Sequence, residues 1–476
     1  MACGGEPPAS APEALTTVLL PRAAEQLDPR FTTDPMGLRV SRLLFASLVT
    51  IDPRTLEVVP DLAEEVVAEA PFAWRVRLRS GLRFADGSAL DAQDVAATFR
   101  GVADPRLGSP WAATYGRIAS IEVLGPRELR FVLAEPHATF LTDLELPIVR
   151  AEDARRREAR IGAGPYRLAG DAGELRLVAN AHWHGGTPRH PSLRFVVVRD
   201  DNVRAMRLRG GGADLALSAV PPLLVPLFEA DPAFEVASAP GVGTYYLGVR
   251  TDAPGLDAEA RRTLCMALDR EALVQAKLGG RGHVAHSWIP AGHWAASEVA
   301  TPAFEAAAAR ARVAERPFGR RLVLRTSSDR FRVSTALAIQ AMLRDAGVRV
   351  DVRPSENASF IADLAAGRFD LALLEVPEVF EPHVLSWFFG SERIPGPGRA
   401  GANRWRFRSA ALDAALERGR TERHRPARVA AYAEAQAILA RELPVIPLFQ
   451  RDQVAVMRRG LAFDVPRDGR FGTLAR

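Results

Sequence analysis

The sequence contains only two cysteines in 476 residues, Cys3 and Cys265. They do not form the closely spaced, evenly numbered set that is typical of a disulfide framework. Cys265 lies inside the helical pattern RRTLCMALDREAL, where we expect it to be a small buried apolar residue. The sequence also lacks any run of 18 apolar residues, so it predicts no membrane-spanning helix.

Lysine is almost absent, because Lys277 is the only one among 62 basic residues. Arginine supplies the remaining positive charge, and 57 acidic residues reduce the net charge to +5. A nucleic-acid-binding protein usually concentrates its basic residues in one stretch, whereas here they are interspersed with acidic ones. We therefore predict no nucleic-acid partner; a DNA-binding protein would instead be retained on DNA in a strongly salt-dependent way.

Familiar catalytic and cofactor motifs are missing from the sequence as well. It has no G-x-S-x-G elbow, no H-E-x-x-H pair and no phosphate-binding loop with its Lys and Ser. The glycine-rich turn at 209–213 lacks those two residues, and the histidines near 182–190 and 283–293 have no recognisable zinc spacing. We expect no enzyme activity, no cofactor and no metal, although a hydrolase triad assembled in space would leave no local motif.

The patterns that are present predict an α/β protein with mixed sheets and helices. Residues 72–78 alternate between apolar and polar positions, as in a strand, and Asp91 is placed to cap a helix. The segment 321–376 reads as strand, helix, strand, helix and strand, with Gly347 and Gly367 at the two helix ends. Because ligands bind at the carboxyl ends of such strands, residues 375–382 are a candidate site.

Many motifs along the chain resemble, in the same order, the extracellular solute-binding proteins of ABC importers, in the branch for dipeptides, oligopeptides and nickel. The stretch LRSGLRFADGSALDAQDV, 78–95, is similar to that family's "LR.GVKFHDG.PLTAEDV". Single pieces are weak evidence, but at least eight occur in the family's order. The other matching pieces are 27–29, 44–45, 60–64, 162–168, 180–188, 208–214, 243–249, 260–273, 412–439 and 443–448.

This resemblance implies a two-lobe periplasmic-binding-protein fold, type II-like, with an extra inserted domain. Residues 1–13 would be a lipoprotein tether. Lobe one would combine 14–45, 160–248 and 445–476, and lobe two would hold 249–444. Residues 46–159 would form the inserted domain. Hinge segments near 248 and 445 would let the lobes close on a solute.

The family's peptide binders carry an acidic residue three positions before an acidic-Pro pair, and that residue pairs with the peptide's amino terminus. Glu378 and Glu381-Pro382 have this spacing, with Glu in place of Asp. An ammonium leaving water needs such a counter-charge. The backbone at Leu374 and Val376 and the segment from Thr33 to Met36 would pair with an extended ligand.

Four further side chains are candidates for the cleft. Tyr245, Trp387 and Trp405 could line it, although aromatic residues more often fill cores. Arg404 could clamp a carboxylate in a bidentate manner, although it could equally be one of many surface arginines. The arginine that the oligopeptide branch has six residues before the acidic anchor is Ala372 here.

The start, MACGGEPPASAPEA, resembles a processed bacterial lipoprotein in which Cys3 carries the lipid. We therefore expect a monomer in the periplasm or cell envelope that contacts the membrane only through its lipid anchor. Its partners would be a peptide or other small solute and an ABC permease of the inner membrane. A sugar, an opine or a nickel chelate is the alternative cargo, because the acidic loop and Glu375-Val376 depart from the family pattern.

Overall fold

The computed structural model describes residues 15–169, 174–376, 378–396, 398–399 and 401–476. The predicted lipid-bearing Cys3, the whole predicted tether and Pro377 lie outside these ranges. No helix in the described residues is both long and apolar enough to cross a membrane. The predicted mixture of sheets and helices is confirmed.

The strands are β1 Leu15–Leu20, β2 Val49–Ile51, β3 Val58–Pro60, β4 Ala63–Ala70, β5 Ala73–Leu78, β6 Ile118–Gly125, β7 Glu128–Leu133, β8 Tyr166–Ala169, β9 Leu175–Ala179, β10 Ser192–Val197, β11 Leu215–Leu217, β12 Phe234–Ala239, β13 Thr244–Val249, β14 Gly282–Val284, β15 Leu322–Ser327, β16 Val350–Ser355, β17 Leu371–Val376, β18 Val445–Arg451 and β19 Gln453–Arg458.

The helices are α1 Pro35–Leu44, α2 Ala92–Ala103, α3 Ala112–Tyr115, α4 Phe140–Asp143, α5 Asp201–Arg209, α6 Pro226–Glu229, α7 Ala258–Met266, α8 Arg270–Leu278, α9 Ala306–Glu315, α10 Arg330–Asp345, α11 Asn357–Ala365, α12 Val384–Phe389, α13 Ala410–Thr421 and α14 Arg425–Glu442.

Three larger sheets organise the chain. A seven-stranded sheet has the order β12-β19-β11-β1-β10-β9-β8, and we call the body built on it lobe one. A six-stranded sheet has the order β14-β18-β13-β17-β15-β16, and we call its body lobe two. The four-stranded sheet β4-β5-β7-β6 and the hairpin β2-β3 belong to a third body, which we call the inserted body.

Each of the two lobe sheets is covered on both faces by apolar residues. In lobe two, Tyr245, Leu247 and Val249 of β13 point into one core, whereas Tyr246 points into the opposite core. Such burial on both faces is typical of central strands in α/β sheets. Consequently, side chains reach the exterior mainly where the strands end.

The local predictions hold where short-range signals define them. The strand predicted at 72–78 is β5, and Asp91 caps α2 in a reciprocal capping box with Asp94. Asp329 caps α10, and β15 pairs in parallel with both β16 and β17. The first helix ends at Leu44, and the chain then forms the hairpin β2-β3.

The chain crosses between the two large sheets at two adjacent places. One crossing is 240–243, between β12 and β13, and the other is Asp452, between β18 and β19. Boundaries at 248 and 445 would separate β13 and β18 from the sheet in which they lie. We therefore move the proposed lobe boundaries to these two crossings.

Candidate functional site

The loop that follows β17 leaves lobe two at the edge facing lobe one. Strand β17 pairs with β13 along its whole length, but it pairs with β15 only at Leu371 and Ala372. The diverging carboxyl ends of parallel strands leave a crevice, which is where ligands bind in open α/β sheets. Glu375 and Glu378 lie at this end of the strand and in the loop beyond it.

Glu378 meets lobe one through Arg470. Its carboxylate lies 3.8 Å from the Arg470 guanidinium, and the Glu378 side chain is 30% exposed. The ring of Phe380, two residues further on, lies 4.5 Å from the Arg470 guanidinium carbon. The acidic loop predicted from the sequence therefore faces the other lobe, and its charge is paired across the junction.

Arg470 is almost completely buried and is surrounded by three carboxylates. It donates hydrogen bonds to Glu145 of the inserted body, and its Nε lies 3.4 Å from Asp468. Burial lowers the pKa of Arg470, but the charges of Glu145, Glu378 and Asp468 outweigh it and raise the pKa above its usual value. Arg470 thus joins both lobes and the inserted body in one charged cluster.

Helix α1 contributes two more arginines to this cluster. Arg42 pairs with Glu145 at 3.3 Å. Arg39, one turn earlier, lies beside Gly469, where a Cβ atom would be 2.9 Å from the Arg39 Nη2 atom. Burial lowers the pKa of Arg39, and the charges of Glu378, Asp468 and Glu375 partly oppose this. Arg39 therefore lies near the carboxylates of both lobes.

A second polar cluster surrounds Glu375 at the end of β17. Its carboxylate lies 3.5 Å from Arg332 of α10. Arg451 donates to the Tyr245 hydroxyl at 3.5 Å, and its guanidinium lies 4.9 Å from the Phe331 ring centroid. Burial is the main cause of the raised pKa of Tyr245, so its hydroxyl stays protonated at neutral pH.

Glu381 is already engaged with protein groups. It pairs with Arg428 at 2.7 Å, and it accepts hydrogen bonds from the Thr142 hydroxyl at 3.4 Å and from the His383 backbone. Burial is the main cause of its raised pKa. In this conformation Glu381 links lobe two to the inserted body, so its predicted ligand contact would require these bonds to change.

The three predicted aromatic residues lie in different places. Tyr245 and Trp405 are buried, and the Trp405 ring packs against Gly248 so closely that a Cβ there would lie 1.9 Å away. Trp387 is 42% exposed and lies 5.4 Å from the Arg393 guanidinium. It lines a separate cavity of about 620 Å³ with His137, His383 and Arg420.

The residues that were predicted to pair with the ligand through their backbone lie in two separate segments of the fold. Leu374 and Val376 are buried in β17, where they pair with Tyr246 and Thr244 of β13. Thr33 is exposed and lies two residues before α1, whereas Met36 is buried in its first turn. Whether a ligand strand adds between these segments stays a prediction.

Arg404 is half-buried beside Tyr246. Its Nε atom is buried and has no hydrogen-bond partner in the described part of the chain. Burial lowers its pKa. The neighbouring Asn403 fixes this loop, because its amide donates to the carbonyls of Phe389, Gly390 and Phe407. The predicted role of Arg404 towards a ligand carboxylate stays a prediction.

Three of the histidines that were considered for a metal site have ordinary hydrogen-bonding partners. His190 contacts the Thr16 hydroxyl at 3.0 Å and the Ala462 carbonyl at 2.8 Å. His293 contacts the Phe380 carbonyl at 2.9 Å, and His283 contacts Gln450 at 2.7 Å. Within the described ranges, no three His, Cys, Asp or Glu side chains form a group that could hold a metal ion.

Sequence reasoning missed the lobe-one half of this site: Arg39, Arg42, Asp468 and Arg470, together with Glu145 of the inserted body. In a chain with 62 basic residues, none of these arginines stands out by local pattern. Their one recognisable signal is position, because Arg39 and Arg42 directly follow the segment 33–36 that was predicted to contact the ligand.

Comparisons with known proteins agree with this architecture. The family model described as "Bacterial extracellular solute-binding proteins, family 5 Middle" matches residues 57–393. The "Probable di/tripeptide-binding protein 5" of Pseudomonas aeruginosa is 27% identical over 461 residues, which cover 88% of this chain and 86% of that protein.

Solved structures share the whole fold. The ABC transporter substrate binding protein CtaP of Listeria monocytogenes has a TM-score of 0.86 at 19% identity and covers 97% of this chain and 98% of its own. NikZ of Campylobacter jejuni, solved with Ni(L-His), has a TM-score of 0.81 at 22% identity, with coverage of 97% and 98%. These structures confirm the two-lobe fold. Because the family model covers well over half of the sequence, the chain belongs to the bacterial extracellular solute-binding proteins of family 5.

Proposed function

We propose that this chain is the receptor of an ABC importer and captures a peptide or peptide-like solute between lobe one and lobe two. The observation that carries this proposal is the position of Glu378. The loop after β17 holds its carboxylate at the junction, 3.8 Å from Arg470 of the other lobe and still partly exposed. A carboxylate at this place can receive the amino end of a solute.

Closure of the lobes is the mechanism of capture. In the described part of the chain, two crossings at 240–243 and Asp452 connect the two lobe sheets. They lie side by side, because a Cβ at Gly241 would be 2.1 Å from the Arg451 carbonyl oxygen. Two short adjacent segments can act as a hinge about which two rigid bodies rotate. A solute held by both bodies would favour the closed form, which would then dock on the permease.

The charges at the junction allow an exchange of partners. Arg470 also pairs with Glu145 and Asp468, so it keeps two counter-charges when Glu378 turns to a ligand ammonium. The ammonium gains a charge-assisted hydrogen bond without leaving Arg470 as an isolated buried cation. The exchange therefore avoids a large desolvation cost on the protein side.

The remaining parts of the proposal concern location and partners. The receptor would act in the periplasm or cell envelope as a monomer, held to the membrane by a lipid on Cys3. An ABC permease of the inner membrane would take the solute from it. A nickel chelate remains the second candidate cargo, favoured by the likeness to NikZ, a protein solved with Ni(L-His).

Binding of matched peptides by Glu378 variants tests this proposal. We expect Glu378→Gln to weaken the binding of a free-amine peptide by at least about tenfold, because an ionic hydrogen bond is worth roughly 1.5–3 kcal/mol. Binding of the N-acetylated peptide should weaken by no more than about two- to fivefold, which is the effect of losing the Arg470 pair on closure. The matched control is Glu392→Gln, which alters an exposed glutamate. Equal losses for both peptides, or no peptide binding at all by calorimetry, would contradict the proposal.

A further inference from the structure

The first helix carries a partly buried cation whose counter-charge is incomplete. In the part of the chain that the structure describes, Arg39 forms no ion pair, and its Nε atom is buried without a hydrogen-bond partner. Arg42, three residues later on the same helix, has Glu145 at 3.3 Å. Taking a guanidinium out of water without a counter-charge is unfavourable, so a partly buried Arg39 would gain from a partner.

The carboxylates near Arg39 are already shared with other arginines. Glu378 and Asp468 both lie within 3.8 Å of Arg470, and Glu375 lies 3.5 Å from Arg332. None of the three forms an ion pair with Arg39. A guanidinium in this position can still offer two parallel N–H groups to one more carboxylate.

We propose that Arg39 binds a carboxylate of the solute, so that the receptor selects molecules with a free acid group as well as an amine. This inference rests on the proposed function. The acid would bind lobe one at Arg39, while the amine binds lobe two at Glu378, and the solute itself would join the lobes. Each end of the solute then finds a charge of opposite sign, and Arg39 gains the partner that it lacks.

The arrangement also gives selectivity against blocked solutes. A peptide amide would close the site over Arg39 without supplying an anion, so the guanidinium would lose water and gain nothing in return. We expect the free acid to bind at least about tenfold more tightly than the amide, in line with the 1.5–3 kcal/mol of an ionic hydrogen bond.

Two peptide libraries test the inference on the whole chain. One holds di- to pentapeptides with free carboxylates, and the other holds the same sequences as C-terminal amides. Retained peptides are identified by mass spectrometry, and the tightest binder is measured by calorimetry in both forms. The wild-type protein should prefer the acid at least about tenfold. Arg39→Gln should reduce that preference to less than about threefold, since the anion then loses its ionic partner.

Three control variants keep the test decisive. Arg39→Lys retains the charge and should retain most of the preference, so it separates loss of charge from loss of fold. Arg160→Gln alters an exposed arginine paired only with Glu158, and it should leave the preference unchanged. Arg404→Gln tests another partly buried guanidinium whose Nε atom has no hydrogen-bond partner, and abolition of the preference by this variant instead of Arg39→Gln would overturn the inference.

The remaining outcomes separate this inference from the proposed function. If acids and amides bind the wild-type protein equally well, or if Arg39→Gln keeps the full preference, Arg39 does not bind the acid, while the peptide receptor stands. If neither library is retained at all, the proposed function fails, and this inference fails with it.

Discussion

The carboxylate of Glu378 lies 3.8 Å from the guanidinium of Arg470, and this ion pair joins the loop after β17 to the C-terminal segment of lobe one. Glu378 belongs to lobe two, so the contact forms only when the two lobes are close. The ion pair is therefore a contact of the closed form. Glu378 has the proposed role of binding the solute in addition.

We expect Glu378→Gln to shift the ligand-free protein towards the open form. Because the Glu378 side chain is 30% exposed, solvent screens the pair and its contribution is about 0.5–1 kcal/mol. That corresponds to roughly a two- to fivefold change in the ratio of open to closed molecules. Small-angle X-ray scattering of the ligand-free protein should show a larger radius of gyration. An unchanged scattering profile, identical to that of Glu392→Gln, would mean that the pair does not hold the lobes.

The sequence predicts those features that depend on neighbouring residues. Asp91 and Asp94 form their capping box within one turn of α2, and Asp329 caps α10 in the same local way. The strand-helix-strand segment at 321–376 was predictable because its periodicity and its glycines, Gly347 and Gly367, are local signals. The position of the loop after β17 follows from that segment.

The lobe-one half of the site could not be predicted in this way. Arg470 and Glu145 are 325 residues apart and belong to different bodies, so no local pattern relates them. The sequence also did not indicate which face of β13 each side chain occupies. Tyr245 and Tyr246 enter two different cores, because the sheet is buried on both sides. Tertiary packing decides which aromatic residues reach the cleft.

Gly248→Ala should destabilise lobe two. An added Cβ would lie 1.9 Å from the Trp405 ring, and the ring is fully buried and cannot move aside. Overpacking of this kind costs about 1–3 kcal/mol. Gly125→Ala is the matched control, since nothing lies within 4 Å of a Cβ there. Urea unfolding should show a lower free energy of unfolding for the first variant, and equal values for the two variants would contradict this packing.

Glu145→Gln should destabilise the junction between lobe one and the inserted body. The Glu145 side chain is only 12% exposed and accepts hydrogen bonds from both Arg42 and Arg470. Removing the charge weakens charge-assisted hydrogen bonds to the buried Arg470 and the partly exposed Arg42, while Arg470 keeps Asp468 and Glu378, so the expected cost is about 1.5–3 kcal/mol. Glu158→Gln, whose side chain is 63% exposed and pairs with Arg160, should cost no more than about 1 kcal/mol. Comparable losses for both variants in thermal unfolding would show that Glu145 is not the centre of this cluster.

The pH dependence of stability should reveal a titrating group between the inserted body and lobe two. His137 and His383 face each other there, with ring centroids 6.3 Å apart, and Asp143 lies 3.9 Å from His137. Burial, together with Arg117, lowers the pKa of His137 to about 3, and burial with Arg420 and Arg428 lowers that of His383 to about 4. Burial raises the pKa of Asp143 to about 7.

These shifts act in opposite directions on the free energy of unfolding. Between about pH 4 and 6.5, the two histidines bind protons only in the unfolded chain, so their contribution to stability rises with pH. Over the same range Asp143 binds its proton only in the folded chain, so its contribution falls as pH rises towards 7. Asp143→Asn removes the contribution of Asp143, which opposes that of the two histidines. Urea unfolding from pH 4 to 6.5 should therefore show a dependence on pH that is steeper by about 1.4 kcal/mol per pH unit than in the wild type. Identical slopes in the two proteins would mean that Asp143 is ionised in the folded protein throughout this range.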